Sequence, residues 1–196
     1  MTQSHSPRTR RGVIAGALLA TVAESAISMS ARAAPATGLT GHEHDWDGLV
    51  GQWNVRHRRL KARLVGSAEW EEFAGTSVLW LTLGRLGNVD DNVLELPSGT
   101  YRAMTVRAFD AVSGQWLIWW FDGRNPAQID PPVRGDFKGG VGTFLADDTL
   151  NGRPIKVRFR WSGIAGASPR WEQAFSPDGG ATWEVNWTMD FTRVRA

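Results

Sequence analysis

The sequence predicts an all-β protein, an antiparallel up-and-down barrel of about 8–10 strands. Three observations carry that reading. The chain holds many short runs of Val, Trp, Phe, Thr and Leu, turn clusters separate them, and no stretch sustains a 3.6-residue apolar period. Its 196 residues, 42% apolar and including 11 Trp, suffice for one domain with a substantial core. With no Cys in the chain, a disulfide framework, a thiolate metal site and a Cys nucleophile are all excluded.

Residues 1–33 read as an export signal peptide. Arg8, Arg10 and Arg11 precede an apolar run from Val13 to Ala23, and Ala31-Arg32-Ala33 supplies an A-x-A processing site. That run of 11 residues is too short to cross ~30 Å of hydrocarbon as a helix, so no stable membrane span is expected in the mature form. Thr9-Arg10-Arg11-Gly12-Val13-Ile14 also resembles the bacterial twin-arginine signal, the alternative being an ordinary secretory leader. The expected partner is therefore the twin-arginine or the general secretion machinery. Either route implies a periplasmic or extracellular protein cleaved near Ala33. The leader holds four of the 22 basic residues and one of the 20 acidic ones, leaving 18 and 19 and a net charge of −1. The small basic excess of the whole chain thus belongs to the leader and gives no ground for a nucleic-acid partner.

Residues 34–44 read as a flexible lead-in, and 45–196 as the barrel domain. Candidate strands follow in order at 52–63, 69–73, 77–83, 92–96, 100–109, 115–121, 133–137, 142–146, 155–161, 170–175 and 182–194. Taken together they are rich in Val, Trp, Phe, Thr and Leu. Ala74-Gly75, Pro97-Ser98-Gly99, Ala111-Val112-Ser113-Gly114, Lys138-Gly139-Gly140 and Asn151-Gly152 supply turn geometry between them.

The two ends of the domain sharpen this to a particular kind of barrel. Gly51-Gln52-Trp53 places a G-x-W at the first strand, and the last strand ends Asp190-Phe191-Thr192-Arg193-Val194-Arg195. Trp53 with Arg193 or Arg195 resembles the lipocalin and calycin arrangement, in which an Arg of the last strand packs across the tryptophan at the closed end. Residues 45–194 further resemble a bacterial calycin-like family of unknown function, through LVGQWNVRHRRL, QWLIWWFDGRNP and RWEQAFSPDGGATWEVNW. The resemblance implies a calycin-like fold and no particular reaction.

Ser176-Pro177-Asp178-Gly179-Gly180-Ala181-Thr182-Trp183 fits the Asp-box pattern of sialidases. A propeller needs several blades of roughly 40–50 residues each, more than the mature chain can hold. The string is better read as a hairpin turn. Asp178 accepts hydrogen bonds from following amides, Gly180 permits positive φ, and Trp183 covers the turn and heads a core-facing row with Val185, Trp187, Met189 and Phe191.

Candidate binding residues follow from alternation. If Trp53 points inward, His57 and Arg59 share its face, and Glu72 shares a face with Trp70; buried polar groups of this kind would anchor a ligand. Bulges that break the register would instead leave them at the rim. Gln115–Phe121 is apolar on both faces, so Trp119 is a candidate cavity wall, and Asp122 and Arg124 beyond it are placed to orient a polar head group. Trp171 and Gln173 are expected to line the same interior. His42-Glu43-His44-Asp45 has metal-ligand residue types, but its place in the lead-in favours a solvated segment, and neither a metal nor a cofactor is expected.

G-x-S-x-G, H-E-x-x-H and phosphate-loop motifs do not occur in the sequence. The expectation is therefore an exported barrel holding a small hydrophobic or amphipathic molecule in a Trp-lined cavity. Two alternatives remain: an isomerase, cyclase or hydrolase on the same barrel, or a filled barrel acting as a structural envelope protein.

Overall fold

The computed structural model describes residues 40–194; the leader, with Arg10 and Arg11, and most of the lead-in lie outside the described residues. Ten strands close into one antiparallel barrel: β1 (Gly51–Leu60), β2 (Trp70–Thr82), β3 (Gly87–Leu96), β4 (Gly99–Asp110), β5 (Gln115–Asp122), β6 (Val133–Lys138), β7 (Val141–Leu150), β8 (Arg153–Ser162), β9 (Arg170–Ser176) and β10 (Glu184–Arg193). Each strand pairs with its neighbours in sequence, and β1 pairs with β10 to complete the ring. The expected all-β, up-and-down barrel is the observed architecture.

Two departures from the sequence reading have local causes. The segments 69–73 and 77–83 form a single strand, because Gly75 serves close packing within β2. A Cβ there would meet the Val93 carbonyl oxygen at 2.5 Å and His57 Nε2 at 2.7 Å. The second departure is in β10, where the register shifts between Val185 and Trp187. Trp187 lies opposite Gln173 and Val185 opposite Ala174, so Asn186 is the extra residue of a β-bulge and is itself fully buried. The bulge reverses the alternation. Trp187, Met189 and Phe191 keep the inner face, while Val185 and Trp183 leave it, and Trp183 packs under the Arg158 guanidinium 4.5 Å away.

One end of the barrel is filled. Residues 40–50 cross it, with Trp46 and Leu49 each 1% exposed and a short 3-10 turn, Asp47–Leu49, leading into β1. The Trp46 indole meets Trp116, Phe137, Phe144 and Trp161 at centroid distances of 5.0–6.0 Å. At about 25 cal/mol per Å² of apolar surface, burying a ring system of this size stabilises the closed end by several kcal/mol. Trp53 donates its Nε1 to the Leu49 carbonyl (2.8 Å). Arg193, directly opposite Trp53 in the ladder, stacks 4.1 Å from that ring and donates to the Val50 and Gly48 carbonyls at 2.8 Å. The pairing of Trp53 with Arg193 expected from the sequence is thus present, and it ties both chain ends of the barrel together.

The β9–β10 hairpin has the chemistry read from SPDGGATW. Asp178 accepts from Thr182 N (2.9 Å) and Thr182 Oγ1 (2.6 Å) and binds Ser176 Oγ (2.7 Å). These hydrogen bonds, those from Thr182 first, pull the Asp178 pKa down to about 2. Gly179 and Gly180 take φ of 72° and 102°, and Trp183 Nε1 closes the turn on the Gly180 carbonyl (2.9 Å).

Candidate binding cavity

The ladder between β5 and β6 is the shortest in the barrel, with only Trp116–Gly135, Leu117–Arg134 and Ile118–Val133 in register. Pro131 and Pro132 precede β6 and have no N–H to donate, so the pairing cannot extend past Val133. Beyond Ile118 the two strands part, and a half-open cavity of about 240 Å³ occupies that side of the barrel. Ile118, Trp120, Phe159, Trp171, Trp187 and Met189 form its apolar wall. Trp171 packs edge-on to Trp187 (5.6 Å) and Phe159 (4.9 Å), so the rings of the wall support one another. Gln173, 9% exposed, lines it too, with Nε2 bonded to Asn186 Oδ1 at 2.8 Å across the bulge. Around the mouth stand Arg63, Asp130, Asp147 and Asp148.

The residues singled out from the sequence divide into three groups. Trp171 and Gln173 line the cavity as expected. His57 is inside the barrel, 2% exposed, stacked on Phe73 (4.6 Å, 9°), and accepts Trp187 Nε1 at Nδ1 (3.3 Å). It therefore supports a cavity wall from behind. Burial first, then the Arg59 charge, lower its pKa to about 4, so it is neutral at pH 7. Arg59 stands at the rim, bonded to Glu71 (2.8 Å), its guanidinium 5.6 Å from the Trp187 ring.

The remaining four face elsewhere. Glu72 lies opposite Arg58 on the outer surface and bonds Arg56 (2.7 Å); Phe73, opposite His57, takes the inner position, so the inward placement of Glu72 is corrected. Trp119 alternates away from the cavity, and its neighbour Trp120 holds the wall position. The signal for Trp120 was available: it is two and four residues from Ile118 and Trp116, both buried. Asp122 and Arg124 engage each other, with Arg124 Nε 2.9 Å from Asp122 Oδ1 and the guanidinium 3.8 Å from the Tyr101 ring. The hydrogen bond from Arg124 holds the Asp122 carboxyl below its usual range, and the pair pins its own loop.

Below the cavity lies a polar layer that the sequence reading missed. β3 sends Asn88, Asp90 and Asn92 inward, and Arg107 of β4 joins them, all less than a tenth exposed. Arg107 Nη1 bonds Asp90 Oδ2 (2.7 Å) and Asn88 Oδ1 (2.8 Å), and its guanidinium lies 4.6 Å from the Trp46 ring. Polar residues on alternate positions normally mark the solvent face, so hydropathy alone misassigns this strand. A small space of about 30 Å³ beside Asp90, Asn92, Thr105 and Arg107 matches roughly one water molecule.

At the closed end, His42, Asp45 and Asp136 bring ligand-type atoms within 4.8 Å of one another. His42 Nδ1 bonds Asp45 Oδ2 (2.8 Å), and Trp116 Nε1 donates to the same oxygen (2.8 Å). These bonds clasp the entry segment to β5. Residues 42–45 are thus part of the packed end, with Glu43 7% exposed and bonded to Thr40 N (2.6 Å) and Gly41 N (2.9 Å). The architecture is that of a barrel filled at one end and hollow toward the other, and among known protein families and curated proteins the chain finds no match.

Proposed function

We propose that this chain is an exported binding protein that holds one small, partly apolar molecule in the cavity between β5 and β6. The observation that carries the reading is the packed aromatic wall of Trp120, Phe159, Trp171 and Trp187 around a half-open space of about 240 Å³. A cavity of roughly 150 Å³ accepts a benzene ring, so this one has room for a ring with a short substituent. The polar lining sits around the mouth and at Gln173, which suits orientation of one polar end over an apolar body. A filled barrel describes only the Trp46 end. The aromatic depth of the cavity favours burial of a ligand over acid and base chemistry.

The test is direct, because three of the lining residues are tryptophans. Ligand entry is expected to change intrinsic fluorescence, and Ala146→Trp, which fills the cavity from β7, is expected to abolish the change while preserving the far-ultraviolet spectrum. A ligand response undiminished by Ala146→Trp would place binding elsewhere. The exported location rests on residues 8–33 alone. Changing Arg10 and Arg11 together to Lys is expected to retain precursor in the cytoplasm, and unchanged export would refute the twin-arginine route.

A further inference from the structure

We propose that the ligand carries an anionic group, a carboxylate or its equivalent, and that Arg63 is its anchor; the proposal rests on the binding reading above and names the ligand class. Arg63 lines the cavity, and its guanidinium lies 5.7 Å from the ring of Phe175, another wall residue. Its Nε is buried and has no hydrogen-bond partner among the described residues. No carboxylate among the described residues lies within salt-bridge distance of it, whereas Arg56, Arg58, Arg59, Arg107 and Arg124 each have one. A partly buried cation with an idle donor is costly unless something completes it.

The neighbouring charges do not complete it. Arg59 repels it and is itself committed to Glu71 (2.8 Å). The Glu184 charge attracts it, but that carboxylate takes the backbone N–H of Leu64, at 2.8 and 3.1 Å, and makes no hydrogen bond or salt bridge to Arg63. Asp130, Asp147 and Asp148 stand elsewhere on the mouth, and Asp147 pairs with Lys156.

The Glu184 clamp is informative in its own right. Leu64 has φ of 57°, a left-handed conformation that costs a branched residue energy and persists only where surroundings impose it. Here a carboxylate 120 residues away in sequence accepts the Leu64 N–H, immediately beside Arg63. The guanidinium offers a planar fork of donors suited to two carboxylate oxygens. An aromatic or cyclic acid with a short chain would lay its ring against Trp171 and Trp187 and its carboxylate on Arg63.

The experiment compares three probes of one shape on the full-length chain: 4-phenylbutyrate, 4-phenylbutanamide and 4-phenylbutylamine, titrated by calorimetry and tryptophan fluorescence. The acid is expected to bind at least about tenfold more tightly than the amide, a charge-assisted against a neutral hydrogen bond. Arg63→Met is expected to bring the acid down to the amide's affinity while leaving the amide within about twofold. The wild-type comparison stands even if the variant fails to fold. Equal affinity for acid and amide would overturn the anion assignment and leave the binding reading in place. Preference for the amine, lost in Asp148→Asn, would overturn it in favour of the acidic side of the mouth. Absence of binding by all three would overturn both the assignment and the binding reading.

Discussion

Acidification from pH 7 to pH 4 is expected to destabilise the barrel by about 3 kcal/mol through His57 alone. The imidazole is 2% exposed and held neutral, its pKa lowered from 6.5 to about 4 first by burial and then by Arg59. In the unfolded chain it protonates as pH falls through 6.5, while the folded chain resists until about 4. The stability is therefore intact above pH 6.5, lost progressively between 6.5 and 4, and not lost further below. A shift of this size, at about 1.4 kcal/mol per pKa unit, gives the figure above. For a domain of this length it corresponds to roughly 6–12 °C in Tm. The assay is a thermal melt at half-unit pH steps on the wild type and on His57→Gln, whose amide still offers Trp187 Nε1 an acceptor without titrating. Carboxylate effects are common to both proteins and cancel in the difference. The wild type should lose the extra 6–12 °C on going to pH 4. If both proteins fall in parallel, His57 does not titrate as its burial requires.

Other outcomes follow from the same geometry. Gly75→Ala puts a methyl 2.5 Å from the Val93 carbonyl and 2.7 Å from His57, and is expected to cost about 1–3 kcal/mol by denaturant titration. Arg107→Met leaves Asp90 charged and buried, for a loss of about 3–5 kcal/mol, whereas the double change with Asp90→Leu should cost less than the sum of the single ones in a double-mutant cycle. Asp178→Ala removes the acceptor for both Thr182 groups and should lower Tm at pH 7. Because the folded Asp178 pKa is depressed from 3.8 to about 2, the gap between wild type and Asp178→Ala should hold above pH 4 and narrow as pH falls toward 2. Glu184→Gln keeps an acceptor for Leu64 N while removing a negative charge felt by Arg63, and should tighten acid binding while leaving the amide's affinity unchanged.

The legible part of this protein is local or periodic. Turn chemistry is written into short strings, which is why Asp178, Gly180 and Trp183 form the hairpin read from them. The pairing of Trp53 with Arg193 was also legible, because a closed barrel brings its first and last strands together. Period-two alternation placed His57, Trp171 and Gln173 on the inner face. It failed where a single residue changed the phase. The bulge at Asn186 turned Val185 and Trp183 outward. In β2 the alternation itself held, with Glu72 on the face of Trp70, but that face is the outer one, where Arg58 packs over Trp70.

The sequence by itself determined the class of fold, the absence of cysteine chemistry and most of the turns, Ala74-Gly75 inside β2 being the exception, since these depend on residue type and near neighbours. Only the tertiary structure decided where the barrel is hollow, because that depends on how far the β5–β6 ladder extends before Pro131 and Pro132 end it. It alone showed that Arg63 has no salt-bridge partner among the described residues, because the carboxylate whose charge reaches it, Glu184, is turned onto the Leu64 N–H. Whether a charge is satisfied is a property of distance in space, and the barrel's closure sets those distances.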